Sequence, residues 1–179
     1  RPTVRQAIDL LVRKRVLIRR RGSGTYVSQE PHEVDIFSLA GTLSAFQRTG
    51  IPVISLILEK MRLVQVEPDP ENPFAGNQAF FLSRLSMVRD TPVLLEEIYL
   101  HPDHCPRLDT IDLEGRSLSQ IVDEHYFFRP AGGRQIFRIG FVAGNRASAL
   151  DVSPSTPILV VKRFLHFPTF LNGIYSELF

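Results

Sequence analysis

Residues 78–100 of the chain read QAFFLSRLSMVRDTPVLLEEIYL, and this stretch decides the fold class. Within it, residues 78–88 and 92–100 are largely apolar runs of strand length. The residues between them, Arg-Asp-Thr followed by proline, have the composition of a turn. Two strands joined by so short a connection pair antiparallel. The stretch therefore predicts an antiparallel sheet.

Similar runs recur along the rest of the chain. Turn-forming residues separate further strand-like segments, which lie at residues 51–66, 134–143, 157–166 and 171–179. Apolar residues at helical spacing predict a helix from residue 36 to Gly50. Two shorter helices are predicted over residues 117–126 and 145–150, with Ser117 and Asn145 as their N-caps. The pattern predicts an α+β domain, built on a mainly antiparallel sheet, over residues 35–179.

The first 27 residues have a different pattern. Residues 2–15 place apolar side chains at helical spacing, opposite arginines. Residues 16–27 then predict a short hairpin with glycines at its tip. Residues 1–27 carry eight basic side chains and one acid, a net charge of +7, whereas the whole chain carries +2. Such asymmetry is typical of a nucleic-acid contact, and the alternative is a solvated run of charge.

Composition excludes several classes of protein. With 179 residues, of which 44% are apolar and 22% charged, the chain is typical of a soluble globular protein. Its apolar stretches fall far short of the roughly 20 residues that a membrane-spanning helix needs. A single cysteine, Cys105, cannot form an internal disulfide, which favours a reducing compartment. We therefore expect a cytoplasmic protein without a membrane partner.

The N-terminal sequences RPTVRQA (residues 1–7) and LIRRRGSGTYV (residues 17–27) resemble the GntR family of bacterial transcription regulators. The resemblance implies that residues 1–27 are the C-terminal part of a winged helix-turn-helix, with two helices missing upstream, and that residues 28–34 are a linker. It also implies that the helix lies in the major groove of operator DNA and that the hairpin approaches the minor groove. The implied DNA-binding residues are Arg1, Thr3, Arg5, Arg21 and Gly22.

Residues 35–179 resemble the UTRA effector domain of the HutC subfamily of these regulators. The resemblance rests on FLSRLSM (residues 81–87), PVLLEEIYL (92–100), SLS (117–119), ASALDV (147–152) and TPILVVKR (156–163). It implies a chorismate-lyase-like fold, no cofactor, a homodimer, and a small-molecule effector such as a sugar phosphate, an amino sugar or an amino-acid derivative. The implied ligand-binding residues are Gly41, Thr42, Arg84, Glu96, Ser117, Tyr175 and Ser176.

The sequence departs from the family pattern at several positions. Ser86 stands where many members have a second arginine, which makes a second anion clamp doubtful. Ile174 stands near a position that is often acidic. The chain also ends at Phe179, inside a strand that the family continues, so we expect part of the pocket wall to be missing.

Each implied site has a simpler alternative. Arg84 and Glu96 could form an ordinary cross-strand ion pair. Ser117 could be only an N-cap, and Gly41 and Thr42 could be ordinary residues of a helix start. The segment HPDHC (residues 101–105) holds four potential metal ligands, but its proline and the lack of a second cluster favour a surface turn. We therefore predict no metal site.

Two functions follow from these patterns. The first is a ligand-responsive transcription regulator, a repressor, whose effector domain modulates operator binding. The second is an enzyme with chorismate-lyase-like chemistry, in which Arg84 would clamp the substrate and Glu96 would act as the acid. The basic N-terminal segment favours the regulator, since such an enzyme has no need of it. We therefore predict that the chain is not an enzyme.

Overall fold

The computed structural model of the chain describes residues 2–13, 17–20, 22–27, 42, 45 and 50–179. The chain divides into two compact units, residues 1–33 and residues 34–179.

The described part of the first unit contains a helix and a hairpin. Helix α1 spans Pro2–Arg13, and strands β1 (Leu17–Arg20) and β2 (Gly24–Val27) pair antiparallel. The turn between the strands requires positive φ at Gly22 (φ 78°), a backbone conformation that glycine adopts without strain. The predicted helix and hairpin are thus confirmed in the described part of this unit.

The second unit is built on a six-stranded sheet. Its strands are β3 (Ile54–Gln65), β4 (Gln78–Val88), β5 (Thr91–Leu100), β6 (Gly132–Gly140), β7 (Ile158–Phe167) and β8 (Phe170–Leu178). Neighbouring strands pair antiparallel in the order β3-β4-β5-β8-β7-β6. The described part of this unit also contains a short 3₁₀ helix, Leu108–Thr110, and helices α2 (Leu118–Tyr126) and α3 (Gly144–Leu150). The predicted α+β architecture with an antiparallel sheet is confirmed.

Apolar residues on one sheet face form a core with α2, and we call this the α2 face. Alternate residues of a strand point to opposite faces, so one set of strand side chains meets α2. Leu82, Ile98, Leu165 and Ile174 join the α2 residues Leu118 and Ile121 in one buried cluster. Burial of such side chains stabilises the fold by roughly 1.5–3 kcal/mol each.

The opposite face, which we call the α3 face, carries two further apolar clusters. At one end, Leu85, Leu95 and Phe179 pack against α3. At the other, the sheet residues Phe164 and Tyr175 pack with Val66 and Phe74 of the segment that follows β3. This face is therefore covered by α3 and by residues 66–77.

The start of α2 agrees with the sequence prediction, whereas the start of α3 differs from it. Ser117 is the N-cap residue of α2 and has the extended backbone of a cap, although its side chain makes no capping hydrogen bond. Helix α3 begins one residue earlier than predicted, with Ala143 as the N-cap and Asn145 inside the first turn. The prediction of an Asn145 cap is wrong, because the helix already begins at Gly144 and Asn145 lies inside it.

The helix predicted over residues 36–50 lies mostly outside the described residues. Thr42 and Ala45, which are described, are helical and buried. Within the described parts of the chain, no helix has the length and apolar composition needed to cross a bilayer.

An ion-pair cluster ties residues 66–77 to the α3 face. Glu71 accepts hydrogen bonds from Arg138 at 2.5 and 2.9 Å and lies 2.9 Å from the Lys162 ammonium. These hydrogen bonds, that from Arg138 foremost, lower the pKa of Glu71 from 4.5 to about 2. The carboxylate is therefore favoured in the folded protein relative to the unfolded chain.

We expect the contribution of Glu71 to stability to depend on pH. Because its folded pKa is depressed, that contribution is complete above pH 4.5 and declines as the pH falls towards 2. Urea unfolding should therefore show Glu71→Gln less stable than wild type at pH 7, with the difference shrinking towards pH 2. The exposed Glu114→Gln is the control and should match wild type throughout. A Glu71→Gln deficit that is independent of pH would contradict the assignment.

Candidate functional site

A buried ion pair lies at the centre of the α2 face. Arg84 on β4 and Glu96 on β5 are directly opposite each other in the strand register. The Arg84 Nε and Nη2 atoms lie 2.7 and 2.6 Å from Glu96 Oε2. The two residues are only 5% and 4% exposed. The cross-strand pair expected as the simpler alternative is thus present, but its burial distinguishes it from the surface pairs that contribute little.

Thr42 connects this ion pair to a second arginine. Its hydroxyl donates to Glu96 Oε1 at 3.1 Å and accepts from Arg163 Nη1 at 3.0 Å. Thr42 and Arg163 are both 2% exposed. One hydroxyl therefore joins the segment around residue 42 to strands β5 and β7.

Arg163 was not predicted from the sequence as a site residue. It lies on β7 within the run ILVVKRFLHF, next to Lys162, and the two basic residues look alike in that run. Strand alternation separates them, because Arg163 points to the α2 face and Lys162 to the α3 face. Strand pairing is the signal that identifies Arg163 as a site residue, because Arg163 lies opposite Ser176 of β8, a predicted site residue.

These side chains line a small cavity. Its volume is about 20 Å³, and its polar wall consists of Arg84, Glu96, Ser119, Arg163 and Ser176. Ile98, Leu118, Leu165 and Ile174 form its apolar wall. The space holds about one water molecule, since a water needs roughly 10–15 Å³. Two guanidinium groups and one carboxylate thus converge on a small, partly enclosed pocket.

The structure brings together most of the predicted ligand-binding residues. Arg84, Glu96 and Ser176 line the cavity, and Thr42 contacts its wall. Ser117 is buried at the start of α2, next to the lining residue Leu118, but does not itself line the cavity. Gly41 lies outside the described residues.

Tyr175 is separated from this group. It is fully buried on the α3 face, where its ring centroid lies 5.0 Å from that of Phe164. Its hydroxyl donates to Glu177 at 2.6 Å, and burial followed by this hydrogen bond raises the pKa of Tyr175. The prediction that Tyr175 and Ser176 share the pocket overlooked the alternation of neighbouring strand residues.

A larger groove exists between β3 and the 3₁₀ helix, with a volume of about 590 Å³. Its charged side chains, Lys60, Asp109, Asp112 and Glu114, are all exposed. Solvated charges contribute little directed binding energy, because water competes for them. The small cavity on the α2 face is therefore the stronger candidate site.

The segment at residues 101–105 forms a turn, as predicted. The His104 ring stacks on Phe170 with centroids 3.7 Å apart, and burial raises the pKa of the Cys105 thiol to about 12. Among the described residues, no group of three or more His, Cys, Asp or Glu side chains is arranged to hold a metal ion.

Three of the predicted DNA-binding residues can be located. Thr3 and Arg5 are exposed on α1, and Gly22 is exposed at the turn between β1 and β2. Arg1 and Arg21 lie outside the described residues. The described basic and small residues of this unit are therefore accessible to a partner.

Known proteins are similar to the chain in sequence. The family model of the UTRA domain matches residues 74–168, which is more than half of the chain. The chain is 26% identical over 191 residues to the uncharacterized HTH-type transcriptional regulator YurK of Bacillus subtilis, covering 100% of this chain and 74% of YurK. It is 24% identical over 164 residues to the "Probable fructoselysine utilization operon transcriptional repressor" of Escherichia coli K12, covering 91% and 68% of the two chains.

The fold is similar to that of solved structures. The crystal structure of PhnF from Mycobacterium smegmatis superposes with a TM-score of 0.72 at 17% identity, covering 99% of this chain and 78% of PhnF. The chain that has this sheet order and this buried cluster on the α2 face therefore matches the same type of domain in both sequence and fold. The chain belongs to the UTRA domain family.

Proposed function

We propose that this chain is a ligand-responsive, DNA-binding transcription regulator of the GntR type, with its effector site at the cavity on the α2 face. The observation that carries this proposal is the buried cluster of Arg84, Glu96, Thr42 and Arg163 around that cavity. Buried charges are costly to maintain and are frequent at functional sites. The regulator names of the relatives favour this function over the chorismate-lyase-like enzyme.

The effector is a small anionic or polar metabolite. The guanidinium of Arg84 suits a phosphate or carboxylate, and the carboxylate of Glu96 suits a hydroxyl or amine. Ser176 adds a hydroxyl to the cavity wall, and Thr42 contacts that wall. Gly41 and Ser117 remain proposed contacts of the effector. Sugar phosphates, amino sugars and amino-acid derivatives combine these features. The fructoselysine repressor among the relatives supports the last class, because fructoselysine joins a sugar to an amino acid.

The N-terminal unit is the DNA-binding part. We assign it to a winged helix-turn-helix in which Arg1, Thr3 and Arg5 contact the major groove, and Arg21 and Gly22 form the wing contact. Arginine forks recognise guanine edges and phosphates, and a glycine allows the backbone to approach closely. The active form is a homodimeric repressor of the HutC subfamily, with one unit on each operator half-site.

Control of DNA binding follows from a difference in affinity. The effector binds better to the arrangement in which the two DNA-binding units no longer match the half-site spacing, so operator affinity falls by the coupling free energy. Residues 28–34, which lie outside the described residues, join the two parts. Thr42 is the described residue nearest to them that contacts the site, and its hydroxyl bonds both Glu96 and Arg163.

The experiment that tests this function is a DNA-affinity measurement with and without candidate effectors. The duplex is selected by the protein itself from a random library, and the compounds are sugar phosphates, amino sugars and amino-acid derivatives. We expect one class to lower the DNA affinity of wild type and to leave that of Arg84→Gln unchanged. Equal effects on both proteins would place the effector site elsewhere.

A further inference from the structure

We propose that the Glu96 carboxylate occupies the position that the anionic group of the effector takes, so that the effector binds by displacing Glu96 from Arg84. This inference rests on the proposed function, because it concerns the same cavity. It assigns Glu96 a role as an internal competitor, in addition to that of a ligand contact.

The contacts of Glu96 are those that a bound anion would use. Arg84 presents two of its guanidinium nitrogens to one oxygen, at 2.7 and 2.6 Å. The other oxygen accepts from Thr42, whose hydroxyl is itself held by Arg163. Two guanidinium groups and a hydroxyl donor are a favourable surrounding for phosphate or carboxylate. The Glu96 carboxylate therefore makes, as part of the protein, the contacts that a bound anion would make.

The size of the cavity makes displacement necessary. With Glu96 in this position, about 20 Å³ is open, which is room for about one water. A phosphate or carboxylate group is larger than a water molecule. It can reach the Arg84 guanidinium only when the Glu96 carboxylate moves away.

Displacement also predicts which anions bind well. A carboxylate that leaves Arg84 remains beside the cavity and must find a new donor, because a buried unpaired charge is costly. A ligand that carries an amine or hydroxyl next to its anionic group supplies that donor. A simple anion does not supply one. We therefore expect wild type to bind inorganic phosphate weakly and to prefer effectors that combine an anion with a hydrogen-bond donor.

Isothermal titration of the 179-residue chain with inorganic phosphate tests the inference. Glu96→Gln keeps the shape of the side chain but removes its charge, so Arg84 is left without its competitor. We expect the phosphate Kd of Glu96→Gln to be at least about tenfold lower than that of wild type. The double variant Arg84→Gln/Glu96→Gln should lose this gain. Glu97→Gln is the matched control, because Glu97 points to the α3 face and pairs there with Arg146.

Each outcome decides for or against the inference. Equal or weaker phosphate binding by Glu96→Gln, with binding still dependent on Arg84, would overturn it and leave the proposed effector site standing. Binding that is absent from all variants, or independent of Arg84, would overturn both. If Glu96→Gln does not fold, Glu96→Asp replaces it, since the shorter carboxylate is withdrawn from Arg84. A phosphate Kd for Glu96→Asp no lower than that of wild type would then overturn the inference.

Discussion

Replacing Arg84 with methionine is expected to lower the free energy of unfolding by about 3–5 kcal/mol, the cost typical of breaking a buried ion pair. The reason is that Glu96, 4% exposed, would keep its carboxylate in the interior with Thr42 as its remaining described donor. Methionine retains most of the volume of the arginine stem, so loss of packing contributes less than loss of charge compensation. Denaturant unfolding monitored by circular dichroism measures the change.

Two further variants separate charge from packing. The double variant Arg84→Met/Glu96→Leu removes both charges and should recover most of the lost stability, because apolar pairs often replace buried ion pairs at little cost. Arg129→Met is the control, since Arg129 forms an exposed ion pair with Asp123, and its loss should cost far less stability than the loss of Arg84. If Arg84→Met costs no more than Arg129→Met, the pair does not have the buried character assigned to it.

Gly173→Ala is the second substitution expected to have a large effect. Gly173 lies on β8 beneath the rings of Phe167 and Phe170, which stack with centroids 4.9 Å apart. A Cβ at this position would lie 2.6–2.7 Å from atoms of the Phe167 ring and would also contact Phe170. Phe167 is 4% exposed and has little room to move. We expect a loss of about 1–3 kcal/mol, towards the upper end, from overpacking.

The matched control for this substitution is Gly132→Ala. Gly132 also lies in a strand, β6, but a Cβ there would meet no atom within 4 Å. Its unfolding free energy should stay within about 0.5 kcal/mol of wild type. Thermal unfolding of the three proteins, followed in parallel, compares them directly. If Gly173→Ala were as stable as Gly132→Ala, the close ring packing around Gly173 would be contradicted.

The strands and the central pair of the site could be predicted from local pattern. The runs on either side of Arg-Asp-Thr gave β4 and β5, and their short connection fixed the antiparallel pairing that sets Arg84 opposite Glu96. The positions of these two strands and their antiparallel pairing both depend only on residues that are close together in the sequence. Resemblance to a known family then implied which strand residues face the ligand.

The parts that could not be predicted depend on contacts between distant segments. Arg163 joins the site through Thr42, 121 positions away in the chain, and no local pattern distinguishes it from Lys162. The family resemblance predicts Tyr175 in the pocket, but the alternation of side chains along β8 places it on the α3 face. The charge partners of Glu71, which are Arg138 and Lys162, likewise come from strands far along the chain. Such pairings follow from sheet order, which turn and strand signals do not specify.

Occupancy of the cavity at Arg84 is proposed to control DNA binding. Fluorescence anisotropy of the selected duplex, titrated with protein in the presence and absence of the active compound, measures this directly. We expect the compound to weaken DNA binding by wild type by about 5- to 150-fold, the usual range of allosteric coupling, and to have no effect on Arg84→Gln. An unchanged DNA affinity for wild type, at a compound concentration that saturates the cavity, would contradict the claim.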